Sequence, residues 1–340
     1  MALMTTRKQF LFGAGSTIGA TIFAPFVARA ARRPAVIRFG IDLPTDHPMT
    51  KHVYAAADNI KRESNGELDL RVFPNSQIGN DTHMLSSVRS GAIQMMGIGS
   101  NLVANMTASA GISDLGFAFK DAATAYAAMD GKVGDIVRSN IAAQGLEPMS
   151  IVWSDSFFEI CTSAKPIETP EDLKDLKIRV PESEMSVSLF KALGAAPVTL
   201  NLSEVYTALQ THVMDGAELP LATIETGAYY QVQKYCSLTN HFWLGYWMLM
   251  NGPFWKQLPA DHQKVIATAF NAQGIKERIA VADFNKSLQA KLTSQGMKFN
   301  TTDPTLFQAV LKKNGFYSEW KKKFGLNLWS ALETYTGPLA

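Results

Sequence analysis

Along most of the chain, short apolar runs alternate with stretches in which apolar side chains recur every three or four positions. Residues 35–41 predict a strand, 49–62 a helix, 68–73 a second strand, 80–90 a second helix and 93–98 a third strand. Strands alternating with helices predict βαβ units and a largely parallel sheet. Gly97-Ile98-Gly99-Ser100 then falls at the C-terminal end of a strand, where open α/β sheets bind ligands. The pattern restarts at Thr169-Pro170-Glu171-Asp172, which supplies an N-cap, a proline at the first helical position and an acid at the third. Next comes Leu176-Lys177-Ile178-Arg179-Val180-Pro181, a strand with Leu176, Ile178 and Val180 on one face and Lys177 and Arg179 on the other. A helix over 183–193 ending at Gly194, a short strand at 198–200 and a helix capped by Ser203 and running to about 213 complete this second unit. Residues 260–296 have helix-forming composition interrupted only by Gly274. Unbroken, such a helix spans roughly 55 Å, more than the width of one small lobe, and is expected to bridge two.

The first 30 residues depart from this pattern. Arg7 and Lys8 precede an uncharged run over 10–27, and Ala28-Arg29-Ala30 supplies a small-x-small cleavage site, so residues 1–30 read as an export signal. Seven Gly, Ser, Thr and Pro residues between Gly13 and Pro25 dilute the run, which makes a membrane span the weaker reading. Thr6-Arg7-Lys8-Gln9-Phe10-Leu11 resembles a twin-arginine signal with lysine in the second place, and this leaves the Tat and Sec routes both open. Either leads out of a bacterial cytoplasm, to the periplasm.

Charge and cysteine content narrow the classes of function. The 340 residues carry 32 Lys+Arg and 30 Asp+Glu, a formal +2; without Arg7, Lys8 and Arg29 the balance falls to −1. No basic patch calls for nucleic acid or anionic lipid. The remaining 310 residues exceed what one core usually serves, so two lobes are expected. Cys161 and Cys236, the only cysteines, are too few for a disulfide framework or a four-ligand zinc site. They could pair in an oxidising compartment or be buried as small apolar residues, and burial is the expectation. The six histidines, 47, 52, 83, 212, 241 and 262, show no metal-ligand spacing, and GxSxG, HExxH and Walker motifs are missing. An exported enzyme is therefore the weaker reading, and no catalytic residue, metal or cofactor is expected.

Arg179 is the candidate binding residue. A planar fork of donors on a stiff strand suits two-point contact with a carboxylate, although basic residues on a strand's polar face ordinarily meet water. The hexapeptide alone leaves both readings open.

Four stretches taken together resemble the solute-binding proteins of tripartite ATP-independent periplasmic (TRAP) transporters, the DctP family, over essentially the whole mature chain. They are Val72-Phe73-Pro74-Asn75-Ser76-Gln77-Ile78-Gly79, the segment from Lys165 through the capped turn to Leu173, the Arg179 strand, and Glu204-Val205-Tyr206-Thr207-Ala208-Leu209-Gln210-Thr211 continuing to Asp215-Gly216-Ala217-Glu218-Leu219-Pro220. The resemblance implies an α/β fold of two lobes joined by crossing strands and one long helix, closing like a flytrap on a small organic acid. The lobes would comprise 31–155 with about 245–284, and 156–244 with about 285–340. Arg179 would bind the ligand carboxylate through both guanidinium nitrogens. The partners implied are a small four-helix membrane subunit and a large permease; a periplasmic sensor fed by the same fold is the alternative.

The departures from the family pattern shape the expected ligand. Phe158 stands where many members have a second arginine, and Leu219 where an asparagine precedes the proline. A pocket that loses a cation and an amide does not easily desolvate a second carboxylate, so a monocarboxylate with an apolar or aromatic body is expected. Trp243, Tyr246 and Trp247 are candidate aromatic walls, with core packing the competing reading, and Trp243 the best of the three. In a keto-acid-binding subgroup, the segment resembling Gly216-Ala217-Glu218 contributes to a metal-assisted carboxylate site; here Phe242 replaces the second acid, so a cation is not favoured. Asp42, Ser100 and Asn101, at strand ends of the first lobe, could hydrogen-bond a hydroxyl or oxo group, or serve as ordinary turn residues.

Overall fold

The computed structural model describes residues 34–339, so the expected export signal lies outside the described residues. The first half runs β1 (Ala35–Gly40), α1 (Pro48–Glu63), β2 (Leu68–Phe73), α2 (Asp81–Ser90), β3 (Met95–Gly99), α3 (Ser100–Val103), α4 (Ala122–Asp130), α5 (Lys132–Ala143), β4 (Leu146–Pro148) and β5 (Trp153–Thr162). It continues with β6 (Lys177–Val180), α6 (Glu184–Ala192), β7 (Ala196–Thr199), α7 (Leu202–Gln210), β8 (Gly216–Pro220) and α8 (Leu221–Thr226). The last third is β9 (Tyr235–Asn251), α9 (Gly252–Gln257), α10 (Ala260–Ser294), β10 (Lys298–Thr301), α11 (Pro304–Lys313) and α12 (Phe316–Thr336).

The strands form one sheet in the order β2-β1-β3-β9-β5-β8-β6-β7, with β4 and β10 also on β9. The sheet is mixed rather than largely parallel. The pairs β1–β2, β1–β3, β6–β7 and β6–β8 are parallel, as βαβ units require, but β9 runs antiparallel to β3, β4 and β5, and β5 antiparallel to β8. The difference comes from β5 and β9, long strands that cross from one flank of the sheet to the other.

Local signals place most elements. Asn80 accepts from the His83 N–H at 3.0 Å and starts α2, whose end is marked by Gly91 at φ 80°. Thr169 and Asp172 close a reciprocal capping box around the short 3₁₀ turn Pro170–Leu173. The expected helix at 203–213 is shorter and shifted: α7 is preceded by Asn201 rather than Ser203 and ends at Gln210, because residues 211–215 turn back to pair with β6.

Helix α10 is continuous over 35 residues, roughly 50 Å. It packs against α1 in its first half and against α8 and β10 further along. Gly274 lies where the helix presses on β5: a Cβ there would sit 2.6 Å from Trp153 Nε1 and 2.9 Å from Ile151 Cγ2. Close approach, not flexibility, explains a glycine in mid-helix. Two hydrophobic clusters result, a large one around β1, β3, α1 and β9, and a smaller one in which Val205, Leu209, Leu219 and Ile224 meet Val281, Leu288 and Leu292 of α10. Cys161 and Cys236 are directly opposed across β5 and β9, both buried and both free thiols.

Candidate ligand-binding site

A cavity of about 40 Å³ lies where both flanks of the sheet converge. Asp42, Asp81, Gly99 and Asn101 reach it from the β1–β3 flank, and Asp155, Phe158, Arg179, Leu219 and Thr223 from the β5–β8 flank. Four of the residues expected from sequence beside Arg179 therefore share its wall, namely Asp42, Asn101, Phe158 and Leu219.

Arg179 is held in place by its strand neighbours. β6 lies between β7 and β8, with Arg179 opposite Val198 and Ala217, so both edges of the strand are paired. Lys177 and Arg179, expected on one face of the strand, differ in burial. Lys177, at the strand's start, is exposed, while Arg179 is 3% exposed. Its Nε and Nη2 both donate to the carbonyl of Leu200, at 3.0 and 2.6 Å. That carbonyl takes one edge of the guanidinium and fixes its plane. The other edge, formed by Nη1 and the second Nη2 hydrogen, keeps the two-donor geometry that a carboxylate needs, and no bond to Nη1 is present among the described residues. Burial lowers the pKa of the guanidinium, and the surrounding Tyr229, Glu218, Asp81 and Asp42 favour its charge.

The acidic wall is set by three different local structures. Asp42 follows β1 and receives the Tyr246 hydroxyl at 3.2 and 3.3 Å. Asp81 is the first residue of α2, fixed by the Asn80 cap. Asp155 lies in an irregular stretch of β5, where the register against β9 shifts between Ser154 and Phe157 and Ser156 has φ 73°. One extra residue there re-aims the chain, so that Asp155 and Phe158 both reach the cavity. Thr223 Oγ1 donates to Asp155 Oδ2 at 3.1 Å, and His47 Nε2 lies 3.1 Å from Oδ1. Burial above all, then the charge of Asp155, raises Asp42 to about 6; burial and then Asp42 hold Asp81 well above the usual carboxylate range.

Three residues expected at the site stand outside the cavity wall. Glu218 is fully buried and its Oε2 meets His241 Nε2 at 2.7 Å, while His241 Nδ1 pairs with Thr239 Oγ1 at 2.8 Å. The His241 ring stacks on Phe158 with centroids 6.1 Å apart, so Glu218 acts on the pocket through the ring beneath its phenyl wall. Ser100 donates to Asp114 Oδ1 at 2.9 Å. Trp243 packs edge-on against Phe119 and Tyr126 and donates to Ser154 Oγ at 3.1 Å, a core position. Of the three candidate aromatic walls, Tyr246 lines the cavity; Trp243 and Trp247 do not.

Sequence reasoning missed Asp81 and Asp155. Asp81 reads as a helix-starting acid, a role it also fills. Asp155 carried the better signal, a carboxylate inside an otherwise strand-like apolar run.

The match to the model of bacterial extracellular solute-binding protein family 7, DctP, covers residues 39–323. The chain belongs to this family. It is 32% identical over 267 residues to the 2,3-diketo-L-gulonate-binding periplasmic protein YiaO of Escherichia coli, covering 78% of this chain and 80% of that one. Among solved structures, the sugar acid binding protein DctPAm of Advenella mimigardefordensis, in complex with galactonate, superposes with a TM-score of 0.86 at 27% identity, covering 91% of this chain and 99% of that one. A TRAP solute binding protein of Sulfurospirillum deleyianum with bound succinate gives 0.83 at 29% identity, covering 88% and 98%. The fold of this family member is thus the two-lobed α/β architecture of TRAP solute-binding proteins, as the resemblance implied.

Proposed function

We propose that this chain is the periplasmic receptor of a TRAP transporter, that it captures a small monocarboxylate through Arg179, and that it hands the solute on without chemical change to a small four-helix subunit and a large permease. The observation that carries this reading is the free two-donor edge of Arg179, held in a buried cavity that both flanks of the sheet build. Charge-assisted contacts of this kind are worth about 1.5–3 kcal/mol. A second carboxylate on the ligand would meet Asp42, Asp81 and Asp155, and like charges away from water repel strongly. Phe158, Leu219, Pro220 and Leu244 offer apolar surface to the ligand's body. The cavity holds only a few waters' worth of space, so a short aliphatic body suits the walls as they stand better than an aromatic one.

The two flanks act as lobes, 31–155 with about 245–284 and 156–244 with about 285–340, turning about β5, β9 and α10. Ligand bound to both stabilises the closed arrangement. Residues 1–30 direct export.

A thermal-shift screen of mono- and dicarboxylates tests the reading. At a hundred times Kd a ligand adds about 2.7 kcal/mol, a rise of several degrees in Tm. Arg179→Met should remove that rise. Absence of a shift with every acid, or equal shifts in wild type and variant, would sink the proposal, and tighter binding of succinate than of any monocarboxylate would sink the ligand class.

A further inference from the structure

One cationic side chain and three carboxyls share the cavity wall. Asp42 receives the Tyr246 hydroxyl and Asp155 receives Thr223 at Oδ2, while Asp155 Oδ1 lies 3.1 Å from His47 Nε2 without a hydrogen bond. Asp81 is the third. It is 4% exposed, and its Oδ1 is buried without a hydrogen-bond donor. Its neighbour in the wall is another carboxyl, Asp42, whose charge acts on it. Two neighbouring carboxyls away from water do not both ionise easily. Burial above all raises both, with Asp155 adding to it at Asp42 and Asp42 adding to it at Asp81, and the charge of Arg179 beside Asp81 only partly counters this, so the pair retains a proton.

We propose that the solute carries a protonated primary or secondary amine as well as its carboxylate, and that Asp81 and Asp42 receive this ammonium while Arg179 holds the carboxylate. The inference rests on the reading of Arg179 as the carboxylate anchor. An ammonium brings a full charge and two or three N–H donors. It can satisfy Asp81 Oδ1 and offset Asp42 together. A hydroxyl brings one donor and no charge, so the shared proton has to stay. The ligand class is therefore a small zwitterionic amino acid, whose charges match a wall with one guanidinium and an excess of carboxyls.

The ammonium takes the place of the retained proton, so its binding releases protons at neutral pH. The charged and titratable groups facing the pair are Asp155, Tyr246, Tyr229, His47 and Arg179 around Asp42, and Arg179, Glu182 and Tyr246 around Asp81. Loss of a proton from the Asp42–Asp81 pair is the change that ammonium binding requires.

Calorimetric titration of the exported chain at pH 6.5, in two buffers of different ionisation enthalpy, tests this. The probes are L-alanine and γ-aminobutyrate, with lactate and 4-hydroxybutyrate as their hydroxy counterparts. At least one amine should bind about tenfold or more tighter than its counterpart, with net proton release, and Asp81→Asn should bring that ratio close to one. Hydroxy acids binding as tightly as the amines, or amine binding without proton release, overturns the ammonium site. If hydroxy acids bind as tightly as the amines, and Arg179→Met abolishes it, the anchor stands while the ammonium site falls. If none of the four probes nor any other carboxylate binds, the anchor itself is wrong and this inference falls with it.

Discussion

Replacing Glu159 with glutamine should stabilise the protein at pH 9 and leave it almost unchanged near pH 4. Glu159 is 3% exposed in β5, where the register against β9 slips between Phe158 and Ile160. On the β9 side the slack is taken up around Asn240, which has φ 45° and donates its N–H to Glu159 Oε2 at 3.0 Å. Burial is the main cause that lifts this carboxyl from 4.5 to about 8, and the N–H groups of Asn240 and Thr239 only partly counter it. A folded-state value above the unfolded one means that the protonated acid is the stabilising form. Its contribution is complete below about pH 4.5, declines as pH rises, and is gone above about pH 8. At about 1.4 kcal/mol per tenfold change in proton affinity, ionisation costs the fold on the order of 5 kcal/mol. Glutamine keeps the shape and an oxygen for the Asn240 N–H, and carries no charge. Urea denaturation from pH 4.5 to 9 measures the effect as the difference between wild type and Glu159→Gln. That subtraction removes the contributions of other buried carboxyls such as Asp114 and Glu277, which burial also raises. Parallel stability curves for the two proteins would refute the argument, because a carboxyl already ionised in the fold, or one that water reaches, produces no such divergence.

Gly274→Ala should lose about 1–2 kcal/mol, since overpacking against Trp153 outweighs the roughly 1 kcal/mol gained in helix propensity; chemical denaturation reads the sign directly. Arg278→Met should lose about 2–3 kcal/mol. The guanidinium binds both oxygens of Asp130 at 2.6 and 2.8 Å, donates to the Val152 carbonyl and covers the Tyr126 ring at 4.3 Å, but the Asp130 side chain keeps 35% of its surface exposed, which softens the loss. A shift in urea midpoint below about 0.5 kcal/mol equivalent would show that the pair is only a surface contact.

The sequence determined the fold class and the family, and singled out Arg179. Caps, turn glycines and two hydrophobic periods placed most elements to within a few residues, because these signals act over one or two helical turns and do not depend on distant partners. The motif around Arg179 and the stretch ending at Pro220 carried the family for the same reason: they are local. The tertiary structure alone decided the direction of the sheet's central pairings, which depends on β5 and β9 meeting from positions some 80 residues apart in the chain. It also decided the charge of the site. Asp42, Asp81 and Asp155 start from a loop after a strand, a helix N-terminus and a strand irregularity. Nothing local shows that the three share one wall, and the raised proton affinity of Asp42 and Asp81 exists only once folding removes water and brings them together.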